Sequence, residues 1–213
     1  MKLKILAAAL ALTTAAPAFG ATVIYDLTTS DPAAELGNGP YGTVTVQDSG
    51  GSLIITESLL SGFRIHDGNA NHNALSFSIV GDPAITVSNL TSGFSLVNSS
   101  VTAPPFGTFD YAIDCSSACG HGWPGGFAGT LSFTVSAASP LSLSSLAFNS
   151  VGGKDIFFTS GLVNSAGKTG NVGGTAPVAT PAPEPAAWAM LIAGFAVIGN
   201  QLRRRSRPAL SAA

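Results

Sequence analysis

Histidine, serine and acidic side chains could do chemistry in this sequence, because together they can activate a hydroxyl nucleophile. The three histidines are His66, His72 and His121. A hydrolytic site would combine His66 or His72 with Asp67 or Asp82 and one of the many serines. The chain has no Gly-x-Ser-x-Gly motif, and its serines are spread along strand-like segments. We therefore expect no catalytic residues and no enzyme activity.

Two segments carry side chains that could bind a metal. In DGNAN, Asp67, Asn69 and Asn71 place oxygen atoms at alternating positions, but the closing glutamate of an EF-hand loop is missing. We interpret this segment as a polar hairpin turn. In CSSACGHGW, a zinc site that uses the two cysteines and His121 would lack a fourth nearby ligand. We expect neither a metal nor a cofactor.

Short β-strands are the elements that must position these residues. Many segments alternate apolar and polar residues with a period of two and are rich in Val, Ile, Thr and Phe. In GTLSFTVS, for example, Leu131, Phe133 and Val135 share one face. The predicted strand segments are 22–27, 42–58 (two strands around a turn), 74–80, 84–90, 109–114, 129–136, 141–149 and 155–163. The pattern predicts an all-β fold, either an antiparallel sandwich (jelly-roll-like or immunoglobulin-like) or an open barrel.

A single helical turn is the exception that we predict. In DPAAEL, Asp31 can cap a turn that has Pro32 at its first position. No long segment repeats its apolar residues at helical spacing.

Basic residues are scarce in the middle of the chain. Between residues 21 and 180 the only ones are Arg64, Lys154 and Lys168, and acidic residues outnumber them. Without a basic stripe that could neutralise phosphates, we expect no nucleic-acid partner. A segment of roughly 160 residues is long enough for one hydrophobic core.

The first twenty residues have the layout of a secretory signal peptide. Lys2 and Lys4 precede an Ala/Leu run, and small residues follow up to Gly20. We predict a signal peptide at 1–20, cleaved by signal peptidase between Gly20 and Ala21, and export by the general secretory route. A retained N-terminal anchor is the alternative.

Cys115 and Cys119 are the only cysteines. In an exported protein, an even and closely spaced pair favours a local disulfide bond, which closes a small loop and adds little global stability. Trp123 follows in a glycine-rich stretch. We expect it to close one end of the fold, and the alternative makes Trp123 a residue on which a sugar ring stacks.

The end of the chain changes composition twice. We predict an exported β domain at 21–165 and a flexible linker at 166–182, which is rich in Gly, Pro, Thr and Ala. Residues 186–202 carry no charge and predict a helix about 25 Å long, close to the lower limit for crossing a membrane. The arginines that follow, at 203–207, predict a cytoplasmic C-terminus.

This ending, PEPAAWAMLIAGFAVIGNQLRRRSR, resembles the PEP-CTERM sorting signal of Gram-negative bacteria, in its variant with Trp-Ala after Pro-Glu-Pro. The matching positions are Pro183, Glu184, Pro185, Trp188, Arg203, Arg204, Arg205 and Arg207. The resemblance covers residues 183–207. An ordinary single-span anchor is the alternative that hydropathy allows.

The resemblance implies how the protein is handled. An exosortase in the inner membrane would recognise the tail and cleave near Pro-Glu-Pro. The mature protein would then pass from a transient place in the inner membrane to the cell surface, outer membrane or extracellular matrix. Such proteins accompany exopolysaccharide production and biofilm formation, so exopolysaccharide is a candidate partner.

We therefore expect a non-enzymatic protein of the cell surface or matrix. The alternative is a carbohydrate-binding module, or a module for another surface ligand, including ice. Ice binding would need a flat, regular array of threonines or serines, and TVTV and LSLSS are each too short to form one.

Overall fold

The structure, a computed structural model, describes residues 20–66, 72–175 and 194–196. Its regular secondary structure is mostly β-strand, with 3-10 turns at Pro32–Ala34 and Leu143–Ser145, the helical turn α1 (Gly122–Gly125) and three helical residues at 194–196. The strands are β1 (Thr22–Ser30), β2 (Gly42–Asp48), β3 (Leu53–Leu59), β4 (Phe63–Ile65), β5 (Leu75–Ile79), β6 (Ile85–Ser88), β7 (Phe94–Val97), β8 (Val101–Thr102), β9 (Thr108–Phe109), β10 (Tyr111–Cys115), β11 (Leu131–Ala137), β12 (Leu146–Ala147), β13 (Asn149–Val151), β14 (Lys154–Ile156), β15 (Phe158–Asn164) and β16 (Thr169–Gly174).

Most strands belong to one antiparallel sheet that curls until it is nearly closed. Its order is β6-β11-β3-β2-β1-β16-β15-β5-β10-β7, with β12 paired to β5 and β4 paired to β15. We call β6, β11, β3, β2 and β1 the first layer, and β16, β15, β5, β10 and β7 the second layer. The edge strands β6 and β7 are short and consecutive in the chain, which limits edge-to-edge pairing with other molecules.

The main core lies between the two layers. In β2, β3 and β11 every second residue is buried, as a strand with one solvated face requires. Phe77 of the second layer and Phe133 of the first have ring centroids 5.8 Å apart. The predicted all-β, antiparallel fold is therefore confirmed.

A smaller core covers the opposite face of the second layer. Phe106, between β8 and β9, reaches Gly173 of β16, where an added Cβ would lie 3.1 Å from its ring. The amide of Asn171, also on β16, donates to the Pro104 carbonyl at 2.8 Å. The buried members of this core are Val101, Ala103, Phe106, Phe109, Ala112 and Ile156.

The prediction of a flexible linker at 166–182 is wrong for Thr169–Gly174, which form strand β16. This strand is central in the sheet and pairs with β1 and β15. Glycine has no side chain, so the hydropathy pattern of TGNVGG does not indicate a buried strand. The same lack of a side chain lets Phe106 and the 3-10 turn at Pro32–Ala34 approach the backbone of β16.

Other predicted segments have different bounds in the structure. The strand predicted at 141–149 is not continuous: it contains the 3-10 turn Leu143–Ser145, the two residues of β12 and the first residue of β13. The segment 155–163 is divided between β14 and β15. The predicted turn in DPAAEL is confirmed, because the Asp31 carboxylate accepts a hydrogen bond from the Ala33 N–H at 2.9 Å.

The predicted terminal segments fall largely outside the described residues. Residues 1–19 of the predicted signal peptide (1–20), the Pro-Glu-Pro motif at 183–185 and the arginines at 203–207 lie outside the described residues. Of the predicted helix at 186–202 only 194–196 is described, as helical. Within the described ranges, no helix has the length and apolar character that crossing a membrane requires.

Candidate functional site

His66 and His72 lie on either side of one glycine in β15. The Gly161 N–H donates to the Asn73 carbonyl at 2.8 Å, and the His66 N–H donates to the Gly161 carbonyl at 3.0 Å. Partial burial lowers the pKa of His72, and the nearby Asp31 carboxylate acts in the opposite direction. The two histidines therefore flank the point where the chain leaves the sheet between β4 and β5.

The other residues of the hydrolase alternative lie elsewhere. Asp82 is in the turn after β5 and accepts a hydrogen bond from the Tyr111 hydroxyl at 2.8 Å. His121 is exposed and precedes α1. Asp67, with the DGNAN segment, lies outside the described residues. In the described part of the chain, no group of three His, Cys, Asp or Glu side chains is placed to hold a metal ion.

The cysteine pair closes a loop after β10. Cys115 and Cys119 are disulfide-bonded with Cα atoms 5.7 Å apart, which confirms the predicted bond. The Gly93 carbonyl anchors this loop by accepting hydrogen bonds from the backbone N–H groups of residues 116, 117 and 118 at 2.9, 3.0 and 3.0 Å. Gly93 has φ 84°, and a Cβ there would lie 2.8 Å from the Ala118 Cβ, so the contact needs glycine.

Trp123 is half-buried on the helical turn α1, and it does not belong to either buried core. The Arg64 guanidinium carbon lies 4.4 Å from the centre of its indole ring, a cation–π contact. Arg64 Nη1 also donates to the carbonyls of Trp123 and Pro124 at 3.1 and 3.2 Å. We call Arg64, Trp123 and Pro124 the Trp123 platform, because Arg64 fixes a ring that still has solvent-exposed surface.

A single carboxyl group lies inside the main core. Glu57 on β3 is fully buried, and its register neighbours Val44 and Leu131 are fully buried as well. The Ser160 hydroxyl on β15 faces it, although the two groups do not reach ordinary hydrogen-bond geometry. Burial raises the pKa of Glu57 to about 8, and Ser160 offsets part of this effect. The carboxyl therefore stays protonated at neutral pH, which suits a structural group.

The outer surface of the first layer is covered with hydroxyl groups. Cross-strand neighbours include Thr45 with Thr56, and Thr56 with Ser132. The Thr56 and Ser132 hydroxyl oxygens are 3.0 Å apart. We call this surface the hydroxyl face; its hydroxyl-bearing residues are Thr22, Thr43, Thr45, Thr56, Ser58, Thr86, Ser88, Ser132, Thr134 and Ser136.

Three of these features were not predicted from the sequence: the buried Glu57, the contact of Arg64 with Trp123, and the hydroxyl face. Glu57 could have been found, because it is in phase with the inward-facing Leu53 and Ile55 of the same strand. Arg64 gave no signal, since its contact with Trp123 joins residues far apart in the chain. The hydroxyl face was not predicted, because each strand alone carries a short hydroxyl pattern, whereas the sheet places five strands side by side.

These three features are the candidate sites that the described residues offer. The Trp123 platform and the hydroxyl face are open to solvent, and the Glu57 carboxyl is enclosed. Comparison with known proteins finds no matching family model, no matching curated protein and no matching solved structure.

Proposed function

We propose that the chain is an exported, non-enzymatic protein of the cell surface or extracellular matrix, processed by signal peptidase at one end and exosortase at the other. The observation that carries the proposal is the order of the tail: Pro-Glu-Pro, the uncharged segment 186–202, and four arginines within 203–207. Because proline disfavours a helical conformation at and before its own position, the Pro-Glu-Pro sequence favours an extended cleavage site. The even, closely spaced pair Cys115 and Cys119 is the cysteine pattern expected of a protein exported to an oxidising compartment.

The fold proposed for the exported part is an antiparallel β-sandwich between a signal helix and a transmembrane helix. Support for two layers comes from the core contacts between β5 and β11, whose Phe77 and Phe133 rings approach each other. Such a domain offers wide, regular outer faces, which suit a protein that contacts an extended matrix.

Replacing Pro183, Glu184 and Pro185 together with alanine tests the sorting proposal. We expect the variant to keep its arginine-containing tail and to accumulate in the inner-membrane fraction, because the recognition site can then continue the helix. Intact-mass analysis of cell fractions measures the difference. Pro181→Ala, a proline just outside the motif, is the control and should be processed like the original chain. If the arginine-containing tail were kept by all three chains, or removed from all three at the same position, once the masses of the substituted residues are subtracted, exosortase processing would be contradicted.

A second candidate function is carbohydrate binding at the Trp123 platform. The observation that favours it is the half-exposed indole that Arg64 holds in place. A ring fixed before binding loses little conformational freedom when a sugar stacks on it. The carbohydrate would be the exopolysaccharide of the surrounding matrix.

Trp123→Ala tests this second candidate. We expect the retention of the protein on polysaccharide to fall about tenfold, since one aromatic stacking contact contributes roughly 1 kcal/mol or slightly more. Trp123→Phe should retain part of the binding, and both variants should keep the melting temperature of the original chain. Equal retention of all three proteins would exclude the platform as a sugar site.

A further inference from the structure

The hydroxyl face has fewer charged residues than a solvent-exposed sheet face usually has. A solvated sheet face usually mixes lysine, glutamate and other charges with polar residues. On the outward positions of the first-layer strands, Asp26 at one side is the only charged residue. The remaining positions that carry no hydroxyl are Ile24, Gln47 and Ile54. The centre of this face is therefore neutral as well as rich in hydroxyl groups.

The hydroxyl groups are also arranged regularly. Neighbouring strands are about 4.8 Å apart, and outward residues repeat about every 6.7 Å along each strand. Contacts within the face fix some of its members: the hydroxyl oxygens of Ser52 and Ser136 are 3.0 Å apart, and those of Thr56 and Ser132 are also 3.0 Å apart. Ser52 adjoins the face at the start of β3. The face is thus a grid of hydroxyls that is partly ordered before any ligand binds.

We propose that the hydroxyl face binds a neutral polysaccharide that lies flat across the strands of the first layer. This inference rests on the proposed role in the extracellular matrix and names the chemical class of the partner. A protein hydroxyl group can both donate and accept a hydrogen bond, and so can each sugar hydroxyl. The hydroxyl face and the polysaccharide can therefore form hydrogen bonds in many relative positions. The two isoleucines supply apolar contact with the faces of the sugar rings.

The charge pattern selects a neutral partner over an acidic one. An acidic polysaccharide would need arginine or lysine on the surface that it covers. The three cations in the described domain do not lie at the centre of this face: Arg64 stacks on Trp123 and Lys168 pairs with Glu35. Lys154 reaches only the far end of β1, where it donates to Thr29 at 3.0 Å. A neutral chain, in contrast, can cover the hydroxyl face without leaving a buried and unpaired charge.

Thr56→Lys tests the proposal, because it places a charge at the centre of the grid. We expect retention of the full-length chain, purified in mild detergent, on insoluble cellulose and on curdlan to fall about tenfold or more, because bound sugar would have to desolvate the ammonium group. Thr45→Lys, on the adjacent strand, should have the same effect. Ser95→Lys, at an exposed position of β7 in the second layer, is the matched control and should bind as the original chain does. Circular dichroism and melting temperature show that each variant is folded.

Several results would overturn the proposal. The proposal would be wrong if the folded Thr56→Lys and Thr45→Lys variants were retained on the neutral polymers as well as the original chain is. It would also be wrong if the Ser95→Lys control lost retention to the same extent as these two variants. Stronger retention on alginate than on the neutral polymers would show an acidic partner. If the protein inhibited ice growth but was not retained on polysaccharide, the ligand of the hydroxyl face would be ice. If the protein formed a dimer that Thr56→Lys dissociates, the hydroxyl face would bind a second copy of the chain. Since binding is measured on purified protein, failure of exosortase processing would appear in the mass analysis and not in this assay.

Discussion

Glu57→Gln is expected to make the protein markedly more stable than the original chain above pH 8, while leaving its stability near pH 5 almost unchanged. Glutamine has nearly the same shape as protonated glutamic acid but cannot ionise. Val44 and Leu131 flank this position, and among the described residues the three Lys and Arg side chains all contact other groups, so none is placed to stabilise a carboxylate here. Chemical denaturation at a series of pH values measures the effect.

The direction follows from the two pKa values of this carboxyl. In the unfolded chain it ionises near 4.5, whereas burial raises its pKa to about 8 in the folded protein. Between these values the folded state holds a proton that the unfolded state has released, so the free energy of unfolding falls as the pH rises. The stabilisation is fully present below pH 4.5, declines steadily between pH 4.5 and 8, and is gone above pH 8. The loss amounts to roughly 5 kcal/mol in the original chain and is absent in the glutamine variant.

Glu35→Gln is the control for this prediction. Glu35 is exposed and pairs with Lys168, which lowers the pKa of its carboxyl. Its contribution to stability therefore has the opposite pH dependence, since it is lost as the pH falls. If Glu57→Gln and the original chain showed parallel stability curves from pH 5 to pH 9, Glu57 would not be a buried, neutral acid.

Gly170→Val is expected to destabilise the protein, although valine favours strands more than glycine does. Gly170 lies in β16, and an added Cβ would overlap the Cβ of Ala34 in the 3-10 turn. Short side chains and backbone on both sides cannot move aside as a flexible side chain would. Such overpacking costs about 2–3 kcal/mol, which lowers the melting temperature by roughly 5–10 °C.

Thr175→Val separates this effect from a general intolerance of valine near the end of the domain. Thr175 follows β16 directly and is only half-buried, so its replacement should change the melting temperature little. Thermal unfolding followed by circular dichroism compares the three proteins. If residues 166–182 formed a flexible linker, Gly170→Val and Thr175→Val would both have the melting temperature of the original chain. That result would refute the central position of β16 in the sheet.

Local patterns were enough to predict the class of the fold. The alternation in segments such as GTLSFTVS and TVTVQD depends on which face of a strand each residue occupies, and this is decided by neighbours in the sequence. The Asp31 cap and the Cys115–Cys119 bond also join residues only a few positions apart. The sorting signal is likewise a linear pattern, and it remains a prediction that the tail experiments test.

Interactions between distant segments depend on the tertiary structure. Strand order decides that Glu57 faces Ser160 and that Arg64 meets Trp123, and no local pattern encodes either pairing. It also places β16 in the centre of the sheet, where backbone hydrogen bonds and close packing replace the side chains that glycine lacks.

The sequence by itself therefore determined that short antiparallel strands form and that a disulfide closes the loop after β10. Only the tertiary structure decided which strands are neighbours, because this depends on how side chains far apart in the chain pack in one core. For the same reason, the serines and threonines of five short strands became a single surface only when the sheet was assembled.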